Sequence, residues 1–289
     1  MKKPIQTILA LLILISQTSL SAESLVEKLN HGSDQASRYT LLIEDPLYGG
    51  ILDTTLVSAG IAAWGFTQWK WGTKKFHFHS EGWFDADSKT GGSDKTGHFY
   101  MTYLLSRLVA SRMQDRGLSL EWASFWGSVS GMTSMTLLEI GDGTSPYGFS
   151  KEDFIADSLG AVLAYFVRAY PKVDEFVDVR FEYWPSGNSE GRTDFTTDYS
   201  SMRHLIAFKL LGFDTLKRTP LSLVELQVGY YSRGYRSYDT VEESQHLYLG
   251  IGISLADLAR RSEINVLKNT FEFYQPGHTY VETDLWSRP

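Results

Sequence analysis

The sequence predicts an α+β protein in which an N-terminal helical bundle of about four helices precedes a small antiparallel β-sheet of about five strands. From residue 50 to residue 169, apolar side chains recur mainly at the three- and four-residue spacing of helices. After Pro171 the period becomes two, and apolar and charged residues alternate from Val177 to Tyr183. Helices and strands are therefore segregated along the chain, which is typical of the α+β class.

The first 22 residues have the composition of a secretory signal peptide. Lys2 and Lys3 supply the positive charge, residues 8–15 form a short apolar segment, and small residues occur close to position 22. We therefore expect export to the periplasm or outer membrane of a Gram-negative-type cell, with a mature chain that starts near Glu23. The apolar segment is shorter than the roughly 20 residues of a membrane-spanning helix, which favours cleavage over an uncleaved anchor.

Composition argues against several classes of function. The chain contains no cysteine, which excludes disulfides, thiol catalysis, cysteine metal sites and a lipid-bearing cysteine. A net charge of -7 argues against nucleic acid as a partner, because phosphate binding requires a basic surface. Aromatic residues make up 14% of the chain, which suits both a membrane interface and an aromatic core. We expect membrane association, with the outer membrane favoured, and the oligomeric state stays open.

Four helices are predicted in residues 23–171, which we interpret as a helical domain. They are expected at residues 50–71, 95–114, 120–140 and 150–169. The first and third are apolar enough to make a helical membrane domain an alternative. Asp53 and Glu121 argue against it, because carboxylates are costly in lipid unless they face the interior of a bundle.

Residues 172–289 are predicted to form a β-rich region. Alternation and turn-forming residues place strands at residues 177–183, 204–211, 223–231, 247–254 and 270–274. A short helix is expected at residues 255–261, between the last two strands.

Ionisable residues concentrate where three of the predicted helices begin or end. The second helix starts with Asp94-Lys95-Thr96-Gly97-His98, the third ends with Glu139 and Asp142, and the fourth starts with Asp153 and Asp157. The third and fourth helices are joined by a short connection, so antiparallel packing is expected to bring these ends together at one end of the bundle.

Two kinds of chemistry fit these residues. A ligand set of His98, Glu139, Asp153 and Asp157 has the donor types of a zinc or manganese site, so a divalent metal ion is the candidate cofactor. Alternatively, His98 acts as a general base that Asp157 or Glu139 orients. In that catalytic set, Lys95 stabilises developing negative charge.

Most of these residues also have a structural explanation. Asp94 is a typical helix N-cap, Ser150 resembles the start of a capping box, and His98 suits a satisfied core histidine. Asp157 differs, because it lies on an otherwise apolar helix face, where a carboxylate requires a partner. We expect that partner to be His98, Lys95 or a bound ion.

Three motifs give the sequence a resemblance to the YfiM-like family of predicted periplasmic lipoproteins. They are GGSDKTGHF at 91–99, EIGDG at 139–143 and YGFSKEDFIADSLG at 147–160, within a matching region of about residues 65–185. A fainter similarity links the Asp-Lys-x-x-His helix start to VanZ-like membrane proteins. The resemblance implies a place in the cell envelope and marks His98, Glu139 and Asp157 for testing, but it implies no activity. The chain departs from the family in lacking the lipid-acceptor cysteine.

Two functions stay open, one without catalysis and one with it. The first is a structural or accessory protein of the cell envelope, in which the polar cluster holds helix ends together. The alternative is a metal-assisted or acid/base hydrolase or transferase that acts on envelope lipid or cell-wall material through His98, Asp157 and Glu139. The sequence contains no nucleophile elbow, no phosphate-binding glycine loop and no HExxH pair, which argues against serine hydrolases and nucleotide-binding enzymes.

Overall fold

A computed structural model describes residues 43–183, 196–236, 239–262 and 265–289. These residues contain seven α-helices and one five-stranded sheet, which confirms the α+β class. The helices are α1 (Pro46–Gln68), α2 (Ser93–Asp115), α3 (Leu120–Asp142), α4 (Lys151–Ala169), α5 (Pro171–Asp174), α6 (Leu255–Arg261) and α7 (Asn265–Phe271). The strands are β1 (Val177–Tyr183), β2 (Met202–Lys209), β3 (Val224–Arg233), β4 (Ser244–Ile253) and β5 (Tyr280–Arg288). The predicted signal peptide lies outside the described residues.

Side-chain caps define where three of the long helices begin. Asp45 accepts hydrogen bonds from two amides of the first turn of α1, and Pro46 occupies the first helical position. The helix therefore begins at Pro46 rather than at the predicted residue 50. Ser119 caps α3, and Ser150 caps α4 as its sequence context predicted.

The central helix of the helical layer is α2, which packs against α1, α3 and α4 and also contacts the sheet. Glycines allow its neighbours to approach closely. A Cβ atom added to Gly131 of α3 lies 2.1 Å from Oγ of Ser106, and one added to Gly160 of α4 lies 2.3 Å from the carbonyl oxygen of Phe99. Both helices therefore contact the backbone of α2 at positions where a larger side chain does not fit.

Polar contacts lie between these helices beside an apolar cluster that includes Leu105, Met135 and Leu138. Oγ of Ser58 lies 3.1 Å from Oγ of Ser134, between α1 and α3. Asp53 of α1 forms ion pairs with Arg112 and Arg116 of α2, at 2.8 and 2.5 Å. Many large apolar side chains of α1, α3 and α4 are exposed instead. Within the described ranges, none of the helices combines the length and hydropathy that crossing a membrane requires.

The five strands form one antiparallel sheet in chain order, and its two faces differ in character. One face carries buried charged side chains, among which Arg180 bridges Asp178 and Glu225 at 2.6 Å each. The other face is largely apolar. Part of it packs on α2, where Phe181 stacks on Tyr100 with ring centroids 5.5 Å apart. This contact joins the sheet to the helical layer.

The predicted strand at residues 270–274 is wrong. Thr270 belongs to α7, and its hydroxyl donates to the carbonyl oxygen of Val266 one turn earlier. The residues that follow form an isolated bridge with β1. A five-residue alternation does not distinguish a short strand from the end of a helix. The fifth strand is β5, whose side chains are almost all exposed, so burial imposes no clear pattern on its sequence.

We predict opposite effects for alanine at two helical glycines. Gly160→Ala places a methyl group against the backbone of α2 and should lower the free energy of unfolding by about 1–3 kcal/mol. Gly60→Ala in α1 meets nothing within 4 Å and should raise it by about 0.5–1 kcal/mol, because alanine favours the helix. Urea denaturation measures both, and equal stabilities would contradict the close packing of α4 on α2.

Candidate functional site

Four segments meet at one end of the helical layer: the loop between α1 and α2, the start of α2, the end of α3 and the start of α4. The site residues predicted from the sequence lie here and approach one another: Lys95, His98, Glu139, Asp153 and Asp157. Antiparallel packing of α3 and α4 puts the end of one beside the start of the other. The chemical roles assigned to these residues stay predictions.

A glycine turn fixes the start of α2. Gly91 and Gly92 have φ angles of 58° and 82°, which favour glycine, and Gly92 is the N-cap. Asp94 is therefore not the cap that its position suggested. It lies in the first turn of the helix, where Oγ1 of Thr90 donates to Oδ1 of Asp94 at 2.6 Å. The sheet supports this turn, because Nε2 of Gln245 donates to the carbonyl oxygen of Gly91 at 2.8 Å.

The ammonium group of Lys95 lies among three carboxylates. Its Nζ atom is 2.9 Å from Asp94, 2.8 Å from Asp153 and 3.2 Å from Glu81, and the side chain is only 2% exposed. Burial opposes the positive charge, but these three carboxylates outweigh it and raise the pKa of Lys95. Lys95 therefore stays charged and joins α2, α4 and the loop between α1 and α2.

The imidazole of His98 contacts carboxylates of two other helices. Its Nδ1 atom lies 3.2 Å from Oδ1 of Asp157 and 3.6 Å from Oε1 of Glu139. Asp157 is fully buried and also accepts a hydrogen bond from Oγ1 of Thr102 at 2.7 Å. Burial opposes protonation of the ring, but the charges of Asp153 and Asp157 and the hydrogen bond with Asp157 raise the pKa of His98 well above its ordinary value. The His98 side chain is 16% exposed, so it is the part of this group that water reaches.

Burial raises the pKa values of both carboxyl groups at the end of α3. Oε2 of Glu139 accepts a hydrogen bond from the amide of Ser150 at 2.9 Å, yet burial dominates and raises the pKa of Glu139 to about 9. Asp142 accepts a hydrogen bond from Nε1 of Trp71 at 2.7 Å, and burial raises the pKa of Asp142 to about 6. Glu139 therefore holds a proton at neutral pH.

Carboxyl groups outnumber cations in this cluster. Six carboxyl groups surround Lys95 and His98: Glu81, Asp94, Glu139, Asp142, Asp153 and Asp157. Burial and the neighbouring charge of Asp94 raise the pKa of Glu81 to about 7. The excess negative charge is relieved by protons on the acids with raised pKa values, and a bound cation is the other way to relieve it.

Part of the cluster has donors suited to a metal ion. Ligand atoms of His98, Glu139 and Asp153 lie within 4.8 Å of one another. An imidazole with two carboxylates fits zinc or manganese, and Asp157 is placed to orient the imidazole. A second group, formed by Asp153 with Glu81 and Asp94, satisfies the same distance criterion. The Lys95 ammonium lies beside all three carboxylates of this second group but beside only Asp153 of the first, so the first group fits a metal better.

Three members of the cluster were not predicted as site residues. Glu81 lies in an irregular loop, where no periodicity relates it to the helices. Thr90 lies in the same loop, just before the glycine turn, so periodicity does not place it beside the cluster either. Thr102 follows His98 by four residues, so the spacing of one helical turn was the signal available for it.

Fold and cluster together define a class of protein, an α+β protein with an ionisable cluster that joins three helix ends and a loop. Residues 80–169 match the family described as "Predicted periplasmic lipoprotein (DUF2279)", so this part of the chain is similar to that family. The matched segment contains every predicted site residue from Lys95 to Asp157. It confirms the resemblance to the YfiM-like family, over a shorter region than predicted, whereas the similarity to VanZ-like proteins stays a prediction.

The family supplies a location rather than an activity. Its description names a periplasmic lipoprotein and no reaction. Comparisons with curated proteins and with solved structures gave no significant match.

We predict that the protein becomes less stable as pH rises from about 5 to about 9. The folded-state pKa values of Glu81, Glu139 and His98 all lie above their unfolded values, so the folded state binds more protons over this range. Stability is therefore greatest at the acidic end of this range. The contribution of Glu81 is lost as pH rises through about 7, and that of Glu139 as pH rises through about 9.

Thermal unfolding followed by circular dichroism at several pH values checks this prediction. Above pH 7 we expect the free energy of unfolding of the wild type to fall by at least about 1 kcal/mol, or about 2–4 °C in Tm. Glu139→Gln imitates the protonated acid, so the stability of this variant should fall less over the same pH range. A Tm that rises steadily with pH would contradict the protonation state assigned to Glu139.

Proposed function

We propose that this protein is a structural or accessory component of the cell envelope, exported to the periplasm and associated with the outer membrane. Its ionisable cluster fastens the ends of three helices and a loop. One observation carries this proposal: Lys95 is almost completely buried, and three carboxylates from separate parts of the cluster surround its ammonium group. The family of residues 80–169 supports the periplasmic location.

Pairing within the cluster supports a structural role. Asp157 has two partners on α2, the ring of His98 and the hydroxyl of Thr102. Glu139 of α3 accepts a hydrogen bond from the backbone amide of Ser150, which is the N-cap of α4. The contacts of Asp157 therefore join α4 to α2, and the contact of Glu139 joins α3 to the start of α4. Removing one partner of such a group leaves a charge or a polar atom buried without compensation, which is strongly destabilising.

Lys95→Met tests the structural role. It leaves three carboxylates without their cation, so we expect a loss of about 3–5 kcal/mol in the free energy of unfolding, measured by urea denaturation. Lys172→Met is the matched control, because Lys172 pairs with the highly exposed Asp214 and its loss should change stability little. A Lys95→Met protein as stable as the wild type would contradict a structural role for the cluster.

A second candidate function is a metal-assisted or acid/base hydrolase or transferase acting on envelope lipid or cell-wall material. The observation that favours it is the partial exposure of His98 beside sealed carboxylates, in a cluster with more acids than cations. In this candidate, His98, Glu139 and Asp153 would hold a divalent ion. A bound ion of this kind lowers the pKa of a water molecule and polarises a carbonyl or phosphoryl oxygen. Asp157 would orient His98, and Lys95 would stabilise developing negative charge.

Elemental mass spectrometry of the purified protein separates the two candidates. The structural role predicts no stoichiometric metal, with His98→Ala and Asp157→Asn each unfolding at lower temperature than the wild type. An ion present at one equivalent in the wild type and lost in both variants, but retained in Asp214→Asn, would make the metal-assisted candidate the better one. Asp214 is highly exposed and lies outside the cluster, so its variant controls for nonspecific binding.

A further inference from the structure

The polarity of α3 is the reverse of that in a helix of a water-soluble bundle. Its buried side is formed mainly by small and hydroxyl-bearing residues: Ala123, Ser124, Gly127, Ser130, Gly131 and Ser134. Its exposed side carries the large apolar residues: Trp122, Phe125, Trp126, Val129, Leu137 and Ile140. A surface helix in water normally places its large apolar side chains toward the core.

The same reversal occurs in α4. Its buried side consists mainly of small residues and carboxylates: Asp153, Ala156, Asp157, Gly160, Ala161 and Ala164. Its exposed side carries Phe154, Ile155, Leu159, Val162 and Phe166. In membranes, helices pack through small and polar residues and expose large apolar ones, which is the arrangement seen here.

The outward side of α1 continues this surface. It exposes Leu47, Tyr48, Ile51, Leu52, Leu56 and Phe66, while its carboxylate Asp53 is turned inward to two arginines. Because α3 packs against both α1 and α4, the three outward sides are adjacent. We call the exposed apolar residues of α1, α3 and α4 the apolar face. Such an extensive apolar surface marks an interaction site rather than ordinary solvent-exposed surface.

We propose that the apolar face docks on a lipid bilayer. This inference deepens the membrane association included in the proposed function and rests on it. The segment matched to the periplasmic lipoprotein family, residues 80–169, contains both α3 and α4.

Three hydroxyl groups beside the apolar face are bonded within their own helices, which favours lipid over a protein partner. Thr55 and Thr67 of α1 donate to carbonyl oxygens of their own helix at 2.8 and 2.9 Å, and Ser158 of α4 does so at 2.8 Å. Hydroxyls bonded in this way leave no unsatisfied donor to bury in an apolar phase. A protein interface, in contrast, has about one hydrogen bond per 100–200 Å² and uses such groups across the contact.

The two tryptophans of the apolar face lie at one of its ends. Phe125 contacts both Trp122 and Trp126 edge to face at the start of α3. Phe166 stacks on Tyr170 at the end of α4, with ring centroids 5.9 Å apart. Because α3 and α4 run antiparallel, these two groups lie at the same end, away from the ionisable cluster. Tryptophan and tyrosine side chains prefer the boundary between acyl chains and headgroups, so this end suits the interfacial region of a bilayer.

Flotation with vesicles of phosphatidylethanolamine and phosphatidylglycerol tests the proposal. The wild-type protein should float with the vesicles, and the double variant Leu137→Gln/Leu159→Gln should partition about tenfold less, or weaker still, because two apolar side chains no longer enter the lipid. The matched control is Leu221→Gln/Val241→Gln. Its leucine and valine are 52% and 53% exposed, close to 44% for Leu137 and 55% for Leu159, but lie outside the apolar face. This control should float like the wild type.

The possible results separate this proposal from the broader one. If the wild type floats and Leu137→Gln/Leu159→Gln floats equally well, the apolar face is not the docking surface, although membrane association stands. If the wild type does not float, membrane association fails as well. A third result is a wild-type protein that binds no vesicles and sediments as a dimer, whereas the double variant sediments as a monomer. In that case a second copy covers the apolar face, and the proposal is overturned. Circular dichroism and urea denaturation confirm that all variants are folded.

Discussion

The helical layer depends on one buried cation. The ammonium group of Lys95 is enclosed by carboxylates from the loop before α2, from α2 itself and from α4, so three separate segments are held at one point. His98 repeats this arrangement beside the carboxylates of α3 and α4. At this end of the helical layer, electrostatic pairing adds to the apolar packing of Trp71, Met135 and Leu138. Contacts through glycine then fix how closely the helix sides approach α2.

Strong local signals made most of the fold predictable. The four long helices were recognisable from apolar periodicity, and β1 from strict alternation, because burial on one side imposes a period on the sequence. The periodicity did not reveal which side of α3 and α4 was buried. It takes the same form whether large residues face inward or outward, so the reversed polarity emerges only from the packing. The fifth strand was missed for a related reason, since β5 is exposed almost throughout and burial does not pattern its sequence.

The site was only partly predictable. Asp157 stood out because a carboxylate on an otherwise apolar helix face requires a partner, and the structure places His98 and Thr102 beside it. The predicted helix ends then indicated that Lys95, Glu139 and Asp153 lie near Asp157. Glu81 could not be found in this way, because the path of an irregular loop is set by tertiary contacts. Asp94 was assigned as a cap on residue type alone, whereas the left-handed conformation of Gly92 moves the cap to that glycine.

The charged face of the sheet has a consequence for strand alignment. Lys209 and Arg180 share the carboxylate of Asp178, and these residues belong to two neighbouring strands. Side chains alternate between faces, so sliding β1 by one residue against β2 would turn Arg180 toward the aromatic rings on α2 and Phe181 toward the charged side. Misaligned intermediates would then carry buried charges without counterions. The network therefore discriminates against incorrect pairings during folding, even where its net contribution to the stability of the finished protein is small.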